Sequence, residues 1–384
     1  MLRLLSSPRA AGAIGCLTFL LIGWSGLLVP SLIRSIERDF GQSDAGLGVY
    51  YLLYAVTYAS GSLGGGVVTE RLGRRRILAL AALSHGAGMA VLGIVPTWGI
   101  VLAAAIPAGL GAGALDGGVN GLILDLYPES RGRALNTLHL VFSLGALASP
   151  LVSGQLVGAG VAWQSLIVVT SVATVPIAVL FAVAALPHGR HSPVQRAGPR
   201  TRNPIALTWP LLTLEVAIAC YVAAEVGVSD WLVRFLDNVP LGLATASLSL
   251  FWAGLALGRL VAAKFADRFD HLRFTTVAIA VAAVAIIAAV LVPSVNVSIG
   301  LFALVGFAFG PVFPTIIAIG GERFPERSAA VGGFLTGAAV IGAVVYPPVM
   351  GFLSVNVGLA VAMLGTGLLG LACAGSLLLA RRLQ

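Results

Sequence analysis

Three carboxylates, Asp116, Glu215 and Glu225, stand inside long apolar runs of this 384-residue chain. A charged side chain in hydrocarbon surroundings is costly, so an acid kept there marks a pathway or an ion site. Such a carboxyl can take a proton on one side of a barrier and release it on the other, which ties solute movement to an ion gradient. Asp116 and Asn120 share one helix face with Gly113, whose missing side chain leaves room beside them. Tyr221 and Glu225 share a face in the same way. There a ring could cover the apolar side of a sugar while the carboxylate takes its hydroxyls. Glu215, ten residues before Glu225, points about 80° away at 100° per residue. Glu225 is therefore preferred for the path, with Glu215 kept as a candidate. The alternative for Asp116 and Asn120 is structural, as hydrogen-bonding glue between helices; for Glu225, near the outer end of its span, it is a solvated vestibule acid.

These side chains need apolar helices to carry them. The chain is 58% hydrophobic and 10% charged, against about 25% charged for a soluble domain. Its apolar runs each approach the ~20 residues that cross a bilayer as a helix. Twelve spans are predicted: 11-33, 45-68, 77-95, 98-123, 134-157 and 164-186, then 207-229, 241-263, 275-292, 297-320, 329-353 and 358-380. The fold class is an all-α membrane protein. A polar segment rich in Arg, His, Pro and Ser reads as a cytoplasmic linker. It divides the chain into a first bundle of six helices at 1-186, the linker at 187-206 and a second six-helix bundle at 207-384.

The net charge of +8 would suit nucleic acid in a soluble protein, but its placement argues for topology. With the N-terminus inside, only Arg34, Arg38 and Arg234 fall in outward loops, leaving 20 of the 23 Lys and Arg residues on the inner side. That is the positive-inside pattern; it puts both termini in the cytoplasm and leaves no surplus for nucleic acid. Cys16, Cys220 and Cys373 lie inside spans without pairing or ligand spacing, so they read as packing residues. There is no phosphate-binding loop, zinc-protease motif, paired Cys motif or nucleophile elbow. Nothing points to an enzyme, a cofactor or a metal.

Sliding one half over the other at an offset of 197 residues superposes Gly61 on Gly258, Glu70-Arg71 on Asp267-Arg268, Gly109 and Gly113 on Gly306 and Gly310, Pro128-Glu129 on Pro325-Glu326, and Gly145, Pro150 and Gly154 on Gly342, Pro347 and Gly351. The halves are duplicates in the same order. Parallel repeats of this kind are a transporter architecture. Trp24 falls opposite Tyr221, so the first and seventh spans carry equivalent aromatics, and Tyr50, Tyr51, Tyr54, Phe251 and Trp252 extend the pattern. Arg259, near the inner end of its span, fits a side chain that snorkels to the interface. His85 and His139 fit packing better than proton relay. Pro150, Pro311, Pro314 and Pro347 are candidate bends.

Between the second and third spans the chain reads Gly66-x-x-x-Glu70-Arg71-x-Gly73-Arg74-Arg75-Arg76. A tight turn at Gly73, an acid at a helix end and a cation cluster can latch neighbouring helices. This loop, with its echo at Asp267-Arg268, resembles the signature loop of the major facilitator superfamily. The resemblance implies a gating role for Glu70, Arg71, Gly73, Arg74, Asp267 and Arg268. Leu115-Asp116-x-x-x-Asn120, Arg133-Ala134-Leu135-Asn136-x-Leu138-His139-x-x-Phe142, Tyr221-x-x-x-Glu225 with Trp231, Phe251-Trp252-x-Gly254 and Pro311-x-Phe313-Pro314 are similar to the fucose:proton symporter and sodium-dependent glucose transporter-like branch. Fucose symporters carry an acid in the first span, where this chain has Gly23-Trp24-Ser25. The branch implies a secondary transporter of a sugar or similar polar metabolite, working by alternating access and coupled to protons or sodium. Asp116, Asn120, Tyr221, Glu225, Trp24 and Glu215 would serve the solute and the ion. The implied partners are a small-molecule substrate, the coupling ion and the lipid bilayer, the implied state a monomer in the inner or plasma membrane. A drug or metabolite exporter, driven by proton antiport, is the alternative.

Overall fold

The structure, a computed structural model, describes residues 7–184, 186, 208–265 and 268–383, apart from the side chains at 66, 67, 69–72, 132 and 329. The linker predicted at 187-206 lies outside the described residues. In chain order the helices are α1 (Pro8–Gly26), α2 (Leu28–Phe40), α3 (Asp44–Leu72), α4 (Arg74–Ile94), α5 (Trp98–Leu126), α6 (Arg131–Gly158) and α7 (Trp163–Val183) in the first half. The second half has α8 (Trp209–Phe235), α9 (Leu241–Phe265), α10 (His271–Leu291), α11 (Val295–Phe309), α12 (Val312–Arg323), α13 (Ser328–Val357) and α14 (Leu359–Arg382). α1 and α2 follow one another in a single span, as do α11 and α12, so the helices form twelve columns. Eleven of these are long and apolar enough to cross a membrane, and α3, 29 residues long, is the other. The break inside the α11–α12 column falls at Gly310 and Pro311, one of the predicted bends. Pro150 and Pro347 lie within continuous helices.

Two compact units result. One takes the chain up to Leu28 and resumes at Leu53 for the rest of the first half; the other takes Val29–Leu52 and the second half. In the first, α1 packs on α6, and α4 on α5 and α7. In the second, the repeat equivalents do the same: α8 packs on α13, and α10 on α11 and α14. The duplication thus extends to the packing. Its closest contacts recur at the same offset. A Cβ on Gly113 would run into the Tyr58 carbonyl, and one on Gly310 into the carbonyl of Leu255, the residue 197 positions after Tyr58. Helices approaching this closely need glycine at the crossing, as small-residue contacts between membrane helices do.

Two helices run past their predicted ends. The first predicted span stops at 33, yet α2 continues to Phe40; the seventh stops at 229, yet α8 continues to Phe235. Arg34, Arg38 and Arg234, predicted in loops, are therefore helical. α2 is amphipathic, with Leu28, Leu32, Ile33 and Ile36 fully buried on one side, and amphipathic segments hold helix without being apolar throughout. On the other side Arg34 donates from Nε to the Val233 carbonyl (2.8 Å), from Nη1 to the Val239 carbonyl (2.8 Å) and from Nη2 to the Leu236 carbonyl. It thereby satisfies the Val233 and Leu236 carbonyls at the C-terminal end of α8, where helical N–H groups run out, and ties them to the Val239 carbonyl in the segment before α9.

Candidate functional site

In the first unit Asp116 lies mid-way along α5. Its Oδ1 accepts from Asn120 Nδ2 (3.1 Å) and its Oδ2 from Ser62 Oγ (3.4 Å). The Tyr58 hydroxyl bonds the same carboxyl. The bare face of Gly113 lets the α3 backbone approach and brings Tyr58 and Ser62 within reach of the acid. Three donors and no cation surround the Asp116 carboxyl among the described residues, while Asn120 Oδ1 is buried without a donor. The group is half-buried. This is a polar patch with one acceptor left open, suited to hydroxyls or to an ion.

The neighbours serve to hold it. His85 is fully buried, with Nδ1 3.0 Å from the Ala108 carbonyl and Nε2 2.9 Å from Ser25 Oγ. A carbonyl can only accept, so Nδ1 carries the proton and Nε2 accepts from the hydroxyl. Both nitrogens are used, which makes His85 a strut between α1, α4 and α5. Trp24 donates Nε1–H to Thr170 Oγ1 (2.9 Å) and is half-buried. His139 is exposed, edge-on to Phe19.

In the second unit Tyr221 donates its hydroxyl to the Glu225 carboxylate one turn on. The Tyr221 ring is fully buried, edge-on to Phe309 at 5.4 Å, and Phe309 packs in turn on Phe251. What remains within reach is the half-buried Glu225 carboxyl rather than the ring. Because α8 runs on to Phe235, Glu225 sits deeper in its helix than hydropathy implies. Asp230 also falls inside the column, its backbone carbonyl accepting from the Tyr51 hydroxyl (3.3 Å). Glu215 is half-exposed, six residues from the start of α8, and the two glutamates remain on different faces. Arg259 on α9 is near enough to Glu225 for their charges to act on each other.

At the loop ends Gly73 adopts a φ of +82°, the left-handed conformation that favours glycine, and α4 starts directly after it. Arg74 reaches Asp125 on α5 at 2.6 Å, a pair only 10% and 17% exposed. Arg75 donates to the Ala182 carbonyl. Arg268 lies over the Phe265 ring, 5.2 Å from its centroid. The side chains of Glu70 and Arg71, and Asp267 altogether, lie outside the described residues.

Two features escape the sequence reading. Asp125, the partner of Arg74, is unremarked at the end of an apolar run. At the other end of the second unit Arg234 Nε lies 2.8 Å from both Glu37 and Asp44, and Nη1 lies 2.9 Å from Asp237. Ser354 donates to Asp44, and the group lines a cavity of about 380 Å³. The only early signal was the three charges at predicted span ends. Among the described residues no cluster of His, Cys, Asp and Glu could hold a metal ion.

A family model described as Major Facilitator Superfamily matches residues 14–336 and 241–383. The chain is 29% identical to "Sodium-dependent glucose transporter 1" of Rattus norvegicus over 35% of its own length and 28% of that protein's. It therefore spans about a quarter of that relative. It is 26% identical to the "Cis,cis-muconate transport protein" of Acinetobacter baylyi, covering 91% of this chain and 89% of that one. Two crystal structures share the fold. A bacterial homologue of the human lysosomal transporter Spinster has a TM-score of 0.80 at 17% identity, covering 98% and 96% of the two chains. The Escherichia coli fucose:proton symporter has 0.64 at 18%, covering 97% and 99%.

Proposed function

The chain belongs to the Major Facilitator Superfamily, and from that premise we propose that it moves a sugar or similar polar metabolite by alternating access, driven by a proton or sodium gradient. The observation that carries this reading is the Asp116 patch: an acid inside an apolar column, ringed by Tyr58, Ser62 and Asn120, with an unmet acceptor beside it. Membrane-buried polar groups of that kind mark solute or ion paths. Glu225, oriented by Tyr221, is the second half's own acid, with Glu215 as its alternate; at the repeat offset Asp116 falls on Phe313 and Glu225 on Leu28, so the two acids are not repeat equivalents. Trp24, which falls on Tyr221 at the repeat offset, is the first half's aromatic candidate for the solute.

The glucose-transporting relative and the fucose symporter support the solute class, since hydroxyl-rich solutes suit carboxylate and amide acceptors. Gly73, Arg74 with Asp125, and the charges at 70, 71, 267 and 268 serve the gating step. Both termini lie in the cytoplasm, and the protein works as a monomer in the cell membrane. The test is uptake of labelled glucose and fucose into proteoliposomes under an imposed pH or sodium gradient. Accumulation that needs the gradient and fails in Asp116→Asn supports the reading. No accumulation, together with efflux of drugs or metabolites from cells, favours the exporter instead.

A further inference from the structure

Arg259 stands on α9 six residues before its end at Phe265, about 9 Å along the axis at 1.5 Å per residue. Depth alone would fit a chain that reaches back to the interface. Its azimuth does not. The exposed stripe of α9 runs through Leu243, Leu250, Leu257 and Val261, about 160 to 200° around the helix from Arg259, with Leu260 exposed at about 100° from it. Leu248, Trp252 and Leu255, all buried, lie within about 40° of it. Arg259 therefore points into the protein. There its backbone passes against Gly310 at the break between α11 and α12.

The guanidinium makes no hydrogen bond or ion pair among the described residues, yet it is half-buried and none of its nitrogens is sealed off. The nearby acid is Glu225, which accepts from the Tyr221 hydroxyl at Oε2 and acts on Arg259 through its charge without forming an ion pair. A permanent cation inside a membrane column, with five N–H donors, open nitrogens and no fixed acceptor among the described residues, is free to take a mobile one. Its planar fork matches a carboxylate in bidentate fashion.

We propose that Arg259 recognises an anionic group on the transported solute, namely a carboxylate carried on a hydroxylated ring. The inference rests on the reading of the chain as a transporter of polar solutes and narrows that class to acids. Glu225 then has a second consequence, because an acid close to Arg259 keeps the cation from holding an anion so tightly that it cannot leave.

The experiment is counterflow exchange in proteoliposomes with two matched pairs of probes, glucose with glucuronate and catechol with protocatechuate. Each pair shares a ring and differs by the carboxylate. At least one acid exchanges and its neutral partner does so at least tenfold less. Arg259→Gln weakens the acid's apparent affinity by about tenfold to a hundredfold, the scale of a hydrogen bond to a charged group, and Arg259→Lys retains part of it. Thermal unfolding accompanies the exchange. Since the Arg259 guanidinium makes no hydrogen bond or ion pair among the described residues, Arg259→Gln unfolds no earlier than the native protein, and earlier unfolding would overturn the assignment by making the guanidinium structural. Exchange of the neutral probes alone, or acid exchange indifferent to Arg259→Gln, overturns the anion site and leaves the transporter standing. Silence from all four probes overturns the transporter reading for ring solutes as well.

Discussion

Replacing Arg234 by Gln should destabilise the protein by about 3 kcal/mol, the lower end of the cost of breaking a buried ion pair. The lower end applies because the Arg234 side chain is 28% exposed, whereas Asp44 is 4% exposed and Glu37 11%. Asp237, at 61% exposed, adds little, as surface pairs do. Glu37 and Asp44 reach the same Nε–H, and their carboxyls lie within hydrogen-bonding reach of each other. One N–H cannot satisfy both, so what the variant strands is negative charge in a nearly dry site, with Ser354 as the remaining donor to Asp44. Thermal unfolding in detergent can be followed by a thiol-reactive fluorophore in a Cys16→Ala, Cys220→Ala background, because Cys373 is fully buried until the chain opens whereas the other two thiols are only half-buried. The deficit should be recovered largely by adding Glu37→Gln and Asp44→Asn. A loss below about 0.5 kcal/mol, the scatter of ordinary surface changes, or one that survives neutralising both acids, refutes the reasoning.

Asp125→Asn leaves Arg74, whose Nε and Nη1 already lack acceptors, as a nearly buried cation, and should cost about 3 kcal/mol in unfolding assays; Arg74→Met with Asp125→Leu should cost less than the single change. Gly113→Ala and Gly310→Ala should each destabilise by about 1–3 kcal/mol through overpacking, whereas Gly375→Ala, with nothing within 4 Å of the added methyl, should not lower the unfolding temperature. His85→Gln should lower stability by about 1–3 kcal/mol, the cost of unsatisfied buried partners, and leave the pH profile of uptake unmoved, since both ring nitrogens serve the packing.

The scaffold was legible because it is written in periods. Apolar runs give the columns, and the 197-residue offset predicts that glycines in the two halves do the same work, which the paired crossings at Gly113 and Gly310 do. Helix ends were less legible. Hydropathy stops at residue 33 and at 229, whereas α2 and α8 continue because amphipathic packing and the Arg34 contacts replace hydrophobicity as the reason for helix. Asp230 was missed for the same reason. The ion pairs joining Arg234 to Glu37 and Asp44 link residues nearly 200 positions apart, and no local pattern encodes such a meeting. Arg259 shows a further limit: sequence fixes its depth, but only the burial of Leu248 and Leu255 against the exposure of Leu250 and Leu257 fixes the side it faces.

Gradient-driven transport through a path that uses Asp116 underlies the proposed function. The most direct measurement is solute accumulation in proteoliposomes holding native protein or Asp116→Asn, with and without an imposed ion gradient. Accumulation above equilibrium is expected only for the native protein and only with the gradient, the variant being folded but unable to concentrate solute. Accumulation by the variant equal to that of the native protein would contradict it.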